Sequence, residues 1–513
     1  MESNVQRNKR IAKNTLFLYG RMLLMMLVSL FTARVVLHAL GATDLGIYNV
    51  IAGFVGLFSF VNTSLANSIQ RFLNIALGKK DKKQLFATFS LAFWIHIVLA
   101  IVVLILLETI GIWFLYNKLN IPEMRLNAAF WLLQFAAITS ALNITQTPFM
   151  ASLIAREKMS VYAKIGLIDV FAKLLIVYLV WAYSGDRLII YGFLWFIEGI
   201  FTFILYRVYC VKKIEECRMI FMFDKILAKR IFIYTSWDFL KNLSIVISSQ
   251  GVNVVLNIFL GPLVNAACGI ADNVNVALMK FVGGFQVAAN PQIVKLYAAK
   301  ETSKSFNLAT KVSYYSALIF MLFVIPLIIN IEFVLKMWLG YGYPAYTGIF
   351  ICIILLQNIF SAMTSPLSVL YHARGKLKTY VIYDSIVLIL GFIILYILLK
   401  RESTPVIAYL VSRIPWILEY SLLIYLIKKA MGLGGIRYFS VFFVKVVVIF
   451  FLTFIPSYYL HTYLSVGWNN LILVSGVSFL IYLVSVYVFG LNHSERLFIR
   501  EKIKENSLRI KSL

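Results

Sequence analysis

Apolar residues in this chain run in long blocks, with polar residues gathered between them. A helix needs about 20 mostly apolar residues to cross the hydrocarbon of a bilayer. Blocks of that kind lie near 14–37, 46–69, 86–116, 126–150, 161–183, 188–208, 231–259, 265–289, 306–330, 346–370, 380–399, 404–427, 438–460 and 468–490. They predict an all-α polytopic membrane protein of about fourteen spanning helices. Inside hydrocarbon a helix is the single-segment structure that satisfies its own N–H and C=O groups. The third and fourth blocks are long, which predicts tilt or extension past the lipid. The opening MESNVQRNKRIAKN is basic, but a full-length block follows it without an A-x-A-like cleavage site, so it reads as an uncleaved first helix.

The connections alternate in charge. One set, from the N-terminus through Arg71 to Lys83, Arg156 to Lys164, Arg207 to Arg230 and onward to the tail, holds 34 of the 48 Lys and Arg residues. The other set holds 6: Lys118, Arg125, Arg187, Lys336, Lys400 and Arg401. Lys and Arg concentrate in cytoplasmic loops, so this asymmetry predicts both termini in the cytoplasm and an even number of spans. It also changes the reading of the net charge of +26, which reports topology and not a nucleic-acid groove. Hydrophobic residues make up 61% of the chain and charged residues 14%, against roughly half and a quarter in soluble domains. Cys210, Cys217, Cys268 and Cys352 show no metal-ligand spacing and read as unpaired thiols.

The basic segment at about 209–230 separates two halves that resemble each other. TPFMASLIAREKMSVY (147–162) aligns with SPLSVLYHARGKLKTY (365–380) at an offset of 218, with Pro, Ala, Arg, Lys and Tyr identical at Pro148/Pro366, Ala155/Ala373, Arg156/Arg374, Lys158/Lys376 and Tyr162/Tyr380. The outer turns around Leu40-Gly41 and Leu260-Gly261 correspond as well. A parallel repeat follows, with its axis along the membrane normal. The expected organisation is one six-helix lobe over 1–215, a second over 216–430, and two further helices with a basic tail over 431–513.

The stretch KNTLFLYGRMLLMMLVSLFTARVVLHALGATDLGIYNV (13–50), with its Leu40-Gly41 turn and Gly46-Ile47-Tyr48, and the R-x-K loops at 156–158 and 374–376 carry a family resemblance. The chain resembles the Wzx-type O-antigen or exopolysaccharide flippases of the multidrug/oligosaccharidyl-lipid/polysaccharide (MOP) superfamily. The resemblance implies two lobes around a central cavity in a bacterial inner membrane. It also implies an undecaprenyl-pyrophosphate-linked oligosaccharide as substrate, with polysaccharide polymerase or assembly proteins as partners. A cation-coupled drug antiporter of the same superfamily is the alternative, and a membrane sugar polymerase or ligase a more distant one.

Such a substrate needs cations for its pyrophosphate, and amides, hydroxyls and aromatic faces for its sugars. Ionisable groups within spans are energetically costly and mark interior or aqueous faces. Arg21 in the first span and Lys241 in the seventh stand 220 residues apart at equivalent lobe positions. Lys280 lies near mid-span, and Arg34 near the outer end of the first span. The seventh span carries Asp238, Lys241, Asn242, Ser248, Ser249, Asn253 and Asn257 on one broad face, and the eighth carries Asp272, Asn275, Gly283, Gln286 and Asn290. In the second span Asn49, Gly53, Gly56, Thr63, Asn67, Gln70 and Arg71 share a stripe. Two readings fit such faces, cavity lining and hydrogen bonding from helix to helix. Asp169 and Lys173 read as an i, i+4 ion pair. Glu108, Glu198, Asp384 and Glu419 are membrane acids through which H+ or Na+ could couple to transport. There is no G-x-x-x-x-G-K-[ST], H-E-x-x-H or G-x-S-x-G. A non-enzyme without a cofactor is therefore expected.

Overall fold

A computed structural model describes residues 4–156, 158–218, 222, 224–374, 378–431, 435–497 and 500–501; the side chains of 4–27, 29, 67, 159–160, 163, 233–234, 287–288 and 430–440 lie outside the described residues. The described chain is helical throughout, with no strand. Twelve of its helices are long and apolar enough to cross a membrane. The difference from fourteen blocks has two sources. Helix α1 (Asn4–Gly56) is two helices meeting at a kink at Gly41, and the side chains over most of the first block lie outside the described residues, so Leu30–Gly56 is the one span counted there. Helix α10 (Pro262–Ala298) is long enough, but Asp272, Asn273, Asn275 and Lys280 lower its apolarity below that of its neighbours.

Contacts divide the chain into two compact units. The larger comprises Met1–Ala277, Tyr341–Ile354 and Lys376–Glu419. It holds α1, α2 (Ser59–Gly78) and α3 (Lys82–Leu106), which passes through a π turn, Leu107–Gly111, into α4 (Ile112–Asn117). Next come α5 (Leu126–Ala155), α6 (Met159–Ala182), α7 (Arg187–Lys213) and α8 (Lys225–Val246). A second π turn, Ile247–Gly251, joins α8 to α9 (Val252–Leu260). The first part of α10 belongs here too.

Helix α5 is central, packing on α3 and α7, while α2 fills the space between α5 and α8. Two apolar clusters anchor this arrangement. One is built around Ile47, Ile51, Ala129, Leu132 and Leu133, the other around Ile69, Leu73, Phe89, Phe149 and Leu153. Phe171, Leu175, Tyr178 and Leu179 form an exposed stripe along α6, with Phe171 62% exposed. Spacing of four, three and one puts them on one face, which suits contact with lipid.

Gly41 and Gly261, the pair aligned in the two halves, share one backbone conformation, φ 80° with ψ 168° and φ 81° with ψ 177°. That region is closed to residues with a Cβ. A Cβ on Gly46 would stand 1.8 Å from the Pro262 carbonyl oxygen, and one on Gly269 would stand 2.1 Å from Asn49 Nδ2. Glycine at both places lets α1 and α10 pack closely, backbone on backbone at Gly46 and backbone on the Asn49 amide at Gly269.

The smaller unit comprises Leu278–Gly340, Leu355–Gly375 and Tyr420–Leu513. It contains the end of α10, α11 (Thr302–Ile329) and α12 (Ile331–Leu339). Helices α13 (Thr347–Ala373) and α15 (Pro405–Met431) contribute their later parts, whereas α14 (Lys378–Leu399) belongs to the larger unit. Helices α16 (Gly435–Tyr463) and α17 (Trp468–Ser485), the latter ending in a third π turn, Val486–Gly490, pack against α11. Tyr482 donates a hydrogen bond to the Leu318 carbonyl, and the Tyr314 and Phe442 rings stand 4.8 Å apart.

Candidate functional site

The larger unit encloses a cavity of about 700 Å³ between the second half of α1, α2, α5 and α7. Its polar lining comes from helical spacing. Ser59, Asn62, Thr63, Ala66 and Gln70 turn one face of α2 toward it, and Ser140, Asn143 and Thr147 turn one face of α5. Thr147 Oγ1 donates to Asn62 Oδ1 at 2.6 Å across the two helices. Gln146 is buried with its Oε1 unpartnered. Tyr48, Phe58, Phe135 and Trp195 supply aromatic surface. None of the described lining residues carries a charge. Amides, hydroxyls and aromatic faces together hydrogen-bond and stack on neutral, hydroxyl-rich rings.

Gln70 also lines a recess of about 400 Å³ with Arg71, Asn74 and Ile75. Arg71 is exposed there, one residue past the cavity wall. The sequence stripe of the second span therefore divides. Gly56, Thr63 and Gln70 line the cavity, Arg71 lines the recess, and Asn49 Nδ2 donates to the Asn265 carbonyl instead. The side chain of Asn67 lies outside the described residues, as does that of Arg21. Arg34 is exposed on α1.

The polar face of the seventh span mostly bonds helix to helix. Asn242 Nδ2 donates to Ser64 Oγ at 3.0 Å, and Ser248 Oγ to the Leu388 carbonyl at 3.0 Å. Asn253 Nδ2 donates to the Asn49 carbonyl at 3.1 Å and Asn253 accepts from Asn265 Nδ2, while Asn257 Oδ1 accepts from Asn120 N–H at 2.9 Å. Asp238 and Lys241 are half-buried one turn apart on α8.

Lys241 stands in a charged cluster. Its Nζ lies 4.8 Å from the Tyr380 ring centre, and Tyr380 donates to Glu419 Oε1 at 2.6 Å. Asp384, one turn beyond Tyr380 on α14, is buried with Oδ1 unpartnered. Asp272 Oδ1 is 3.7 Å from Arg413 Nη2. Asn275 is half-buried on α10. In the smaller unit Lys280 is exposed, and buried Gln286 donates through Nε2 to the Ala362 carbonyl at 2.9 Å. The Asp169–Lys173 pair forms at 2.8 Å, with Lys173 Nζ 5.0 Å from the Trp195 ring centre.

Two arginines escaped the sequence reading. Arg413 is one; its mid-helix position in α15 was the available signal. The other is Arg125, which had counted only toward loop charge. It donates Nε to Asp44 Oδ1 at 2.8 Å and Nη1 to Asp186 Oδ2 at 2.8 Å, joining three segments at one end of the unit. Burial pushes the Asp186 carboxyl up, but hydrogen bonds from Arg125 and from the Leu188 and Ile189 N–H groups outweigh it and hold the pKa below the ordinary value. At the Lys/Arg-rich end Arg156 grips Glu216 with two bonds, Nε to Oε1 at 2.9 Å and Nη2 to Oε2 at 2.6 Å. The hydrogen bonds to Glu216 raise the Arg156 pKa despite burial.

No family model and no curated protein sequence matches the chain. Solved structures do. The lipid II flippase MurJ in an inward closed conformation superposes with a TM-score of 0.70 at 15% identity, covering 92% of this chain and 98% of that one. The MATE multidrug transporter DinF-BH gives 0.61 at 15%, covering 82% and 95%. An inward-facing MATE family transporter of the MOP superfamily gives 0.58 at 14%, covering 81% and 99%. Likenesses at these identities show the fold alone, one shared with a lipid II flippase and with MATE multidrug transporters, and the similar proteins are transporters rather than enzymes.

Proposed function

We propose that this protein is a flippase that moves an undecaprenyl-pyrophosphate-linked oligosaccharide from the cytoplasmic to the outer leaflet of a bacterial inner membrane, supplying O-antigen, capsule or exopolysaccharide synthesis. The observation that carries the reading is the cavity of about 700 Å³ with its amide, hydroxyl and aromatic lining, uncharged among the described residues. Sugar rings offer hydroxyls to Asn62, Thr63, Asn143 and Thr147 and apolar faces to Tyr48 and Trp195. Arg71, beside the cavity wall, offers a cation to the pyrophosphate, with Arg21, Arg34 and Lys241 of the same unit as further candidate contacts. The lipid tail stays in the bilayer throughout.

Transport then follows alternating access. The head group enters from the cytoplasmic side, the protein changes state, and the head group leaves outside. A ligand shifts such an equilibrium only through its different affinity for the two states. Protonation or sodium binding at the Lys241, Asp384 and Glu419 cluster supplies that difference in this scheme. Polysaccharide polymerase or assembly proteins are the expected partners on the release side.

The likeness to MATE transporters supports a second reading, export of a lipophilic cation. A cation asks for a carboxylate in its cavity, and the described lining offers none. The deciding experiment deletes the gene, extracts lipid-linked sugars and determines the leaflet that holds them. Complete repeat units trapped on the cytoplasmic face, with surface polysaccharide lost, are expected. A normal leaflet distribution combined with sensitivity to cationic drugs would replace the flippase reading with the antiporter.

A further inference from the structure

Helix α15 places Tyr409, Arg413 and Trp416 at i, i+4 and i+7, on one face. All three present a buried hydrogen-bond donor with no acceptor: Tyr409 OH, Arg413 Nε and Trp416 Nε1. Tyr409 is wholly buried and stacks on Phe350, centroids 4.1 Å apart and planes at 13°. The Arg413 guanidinium lies over the same Tyr409 ring, 4.4 Å from its centre. The aromatic stack therefore holds the guanidinium in place without neutralising it.

Its counter-ion is poorly engaged. Asp272 Oδ1 stands 3.7 Å from Arg413 Nη2, beyond hydrogen-bonding distance, and the Asp272 side chain is 52% exposed. A buried arginine normally meets a carboxylate in a close, two-bonded fork. The Arg156–Glu216 pair in this same protein shows that geometry. At Arg413 the fork is open, and the half-exposed Asp272 stands at its edge. Buried donors are rarely left without partners. Three on one helix face, one of them charged, call for an acceptor-rich, negatively charged ligand.

We propose that Tyr409, Arg413 and Trp416 form an oxyanion subsite for the transported head group, with Asp272 as the resident counter-ion that the ligand's oxyanion displaces. The inference rests on the flippase reading for the identity of the ligand, whereas the subsite itself rests on the orphaned donors. The oxyanion is a phosphate of the pyrophosphate link or the carboxylate of an acidic sugar. Arg413 supplies Nε to one oxygen, and Tyr409 OH and Trp416 Nε1 supply neutral donors beside it. Asp272 keeps the guanidinium compensated between cycles and swings toward solvent when the ligand arrives. Affinity is thereby set by competition between two anions for one arginine, so the ligand is held firmly enough to be selected and released when Asp272 returns.

The test uses the purified full-length protein in detergent and measures binding by isothermal titration. Farnesyl diphosphate probes the phosphate source, methyl glucuronide probes the carboxylate source, and farnesol is the neutral control. Arg413→Gln is expected to weaken binding of the recognised anion by about tenfold or more. Asp272→Asn, which removes the competitor, is expected to tighten it several-fold. Thermal unfolding of each variant controls for folding, and Asp272→Asn decides the matter alone if Arg413→Gln does not fold. The probe that responds identifies the source. Binding of neither anion by the wild type, or binding that both substitutions leave within twofold, overturns the subsite. A leaflet defect in the deletion strain together with unresponsive binding sinks the subsite and leaves the flippase. Normal leaflets with Arg413-dependent binding do the reverse.

Discussion

Asn62 and Thr147 line the cavity side by side and hydrogen-bond directly from α5 to α2. Replacing both partners of such a pair by apolar groups of similar shape changes stability little, whereas removing one strands the other. The double variant Asn62→Leu, Thr147→Val is therefore expected to fold with an unchanged melting temperature and to lose about tenfold in polysaccharide export, because sugar hydroxyls lose both contacts. Export at the wild-type level would show that this cavity wall does not touch the substrate. Arg125 has the opposite character, since its two carboxylates remain when it is removed. Arg125→Ala is expected to lower stability by about 1.5–3 kcal/mol, the range for hydrogen bonds to charged groups, read as a fall in melting temperature in detergent. The Asp186 carboxyl, held below its ordinary pKa, adds stability above the ordinary carboxylate range, and that contribution is lost as pH falls through the depressed folded value. Asp186→Asn should therefore be less stable than wild type at pH 7 and lose less stability on acidification. Parallel pH profiles for the two proteins would deny the carboxylate this role.

Helices here are shaped by glycine as much as by apolar spacing. Gly41 bends α1 and Gly261 separates α9 from α10, both at φ near 80°. Gly41→Ala and Gly261→Ala should each destabilise by about 1–3 kcal/mol. Gly78, with open space at its Cβ position and no positive φ, is the control and should tolerate alanine. Equal melting temperatures for all three variants would remove the conformational argument. The three π turns of the described residues each close on a glycine that lies under an aromatic ring: Gly111 beneath Phe54, Gly251 beneath Phe392 and Gly490 beneath the Tyr314 hydroxyl. A π turn shifts the register of side chains by one position. On α8 and α9 this shift falls between Lys241 and Asn253, so a simple 100° wheel across that span assigns its two ends to the wrong relative directions.

For the whole molecule, the arrangement of Lys and Arg predicts which loops face the cytoplasm, and impermeant thiol labelling tests it. In a background with the four native cysteines replaced, Met124→Cys, at a position 93% exposed, should label on intact cells. Lys80→Cys, in the connection between α2 and α3, should label only after permeabilisation. The reverse pattern would invert the proposed direction of transport. The same paired logic extends to the repeat, because Gly41 and Gly261 occupy matching places in the two halves and adopt one conformation. An insertion or deletion between halves would have disturbed neither, since each turn is set by its own Leu-Gly step.

Hydropathy and charge spacing by themselves determined that this is a helical, multi-pass membrane protein, where most helices begin and end, and where the chain turns at glycine. These are properties of segments, and lipid imposes them on each segment separately: every span must satisfy its own backbone and cover its own length. Tertiary structure alone decided which polar groups are available. A helical wheel shows that Asn242, Asn253 and Asn257 share a face with Lys241, but not that the asparagines bond neighbouring segments while Lys241 joins Tyr380, Asp384 and Glu419. Nor does it show that Arg125 is committed to two carboxylates from distant segments whereas Arg413 keeps an unpaired Nε. Periodicity specifies direction about one helix axis, and the partner met in that direction depends on packing among helices far apart in the chain.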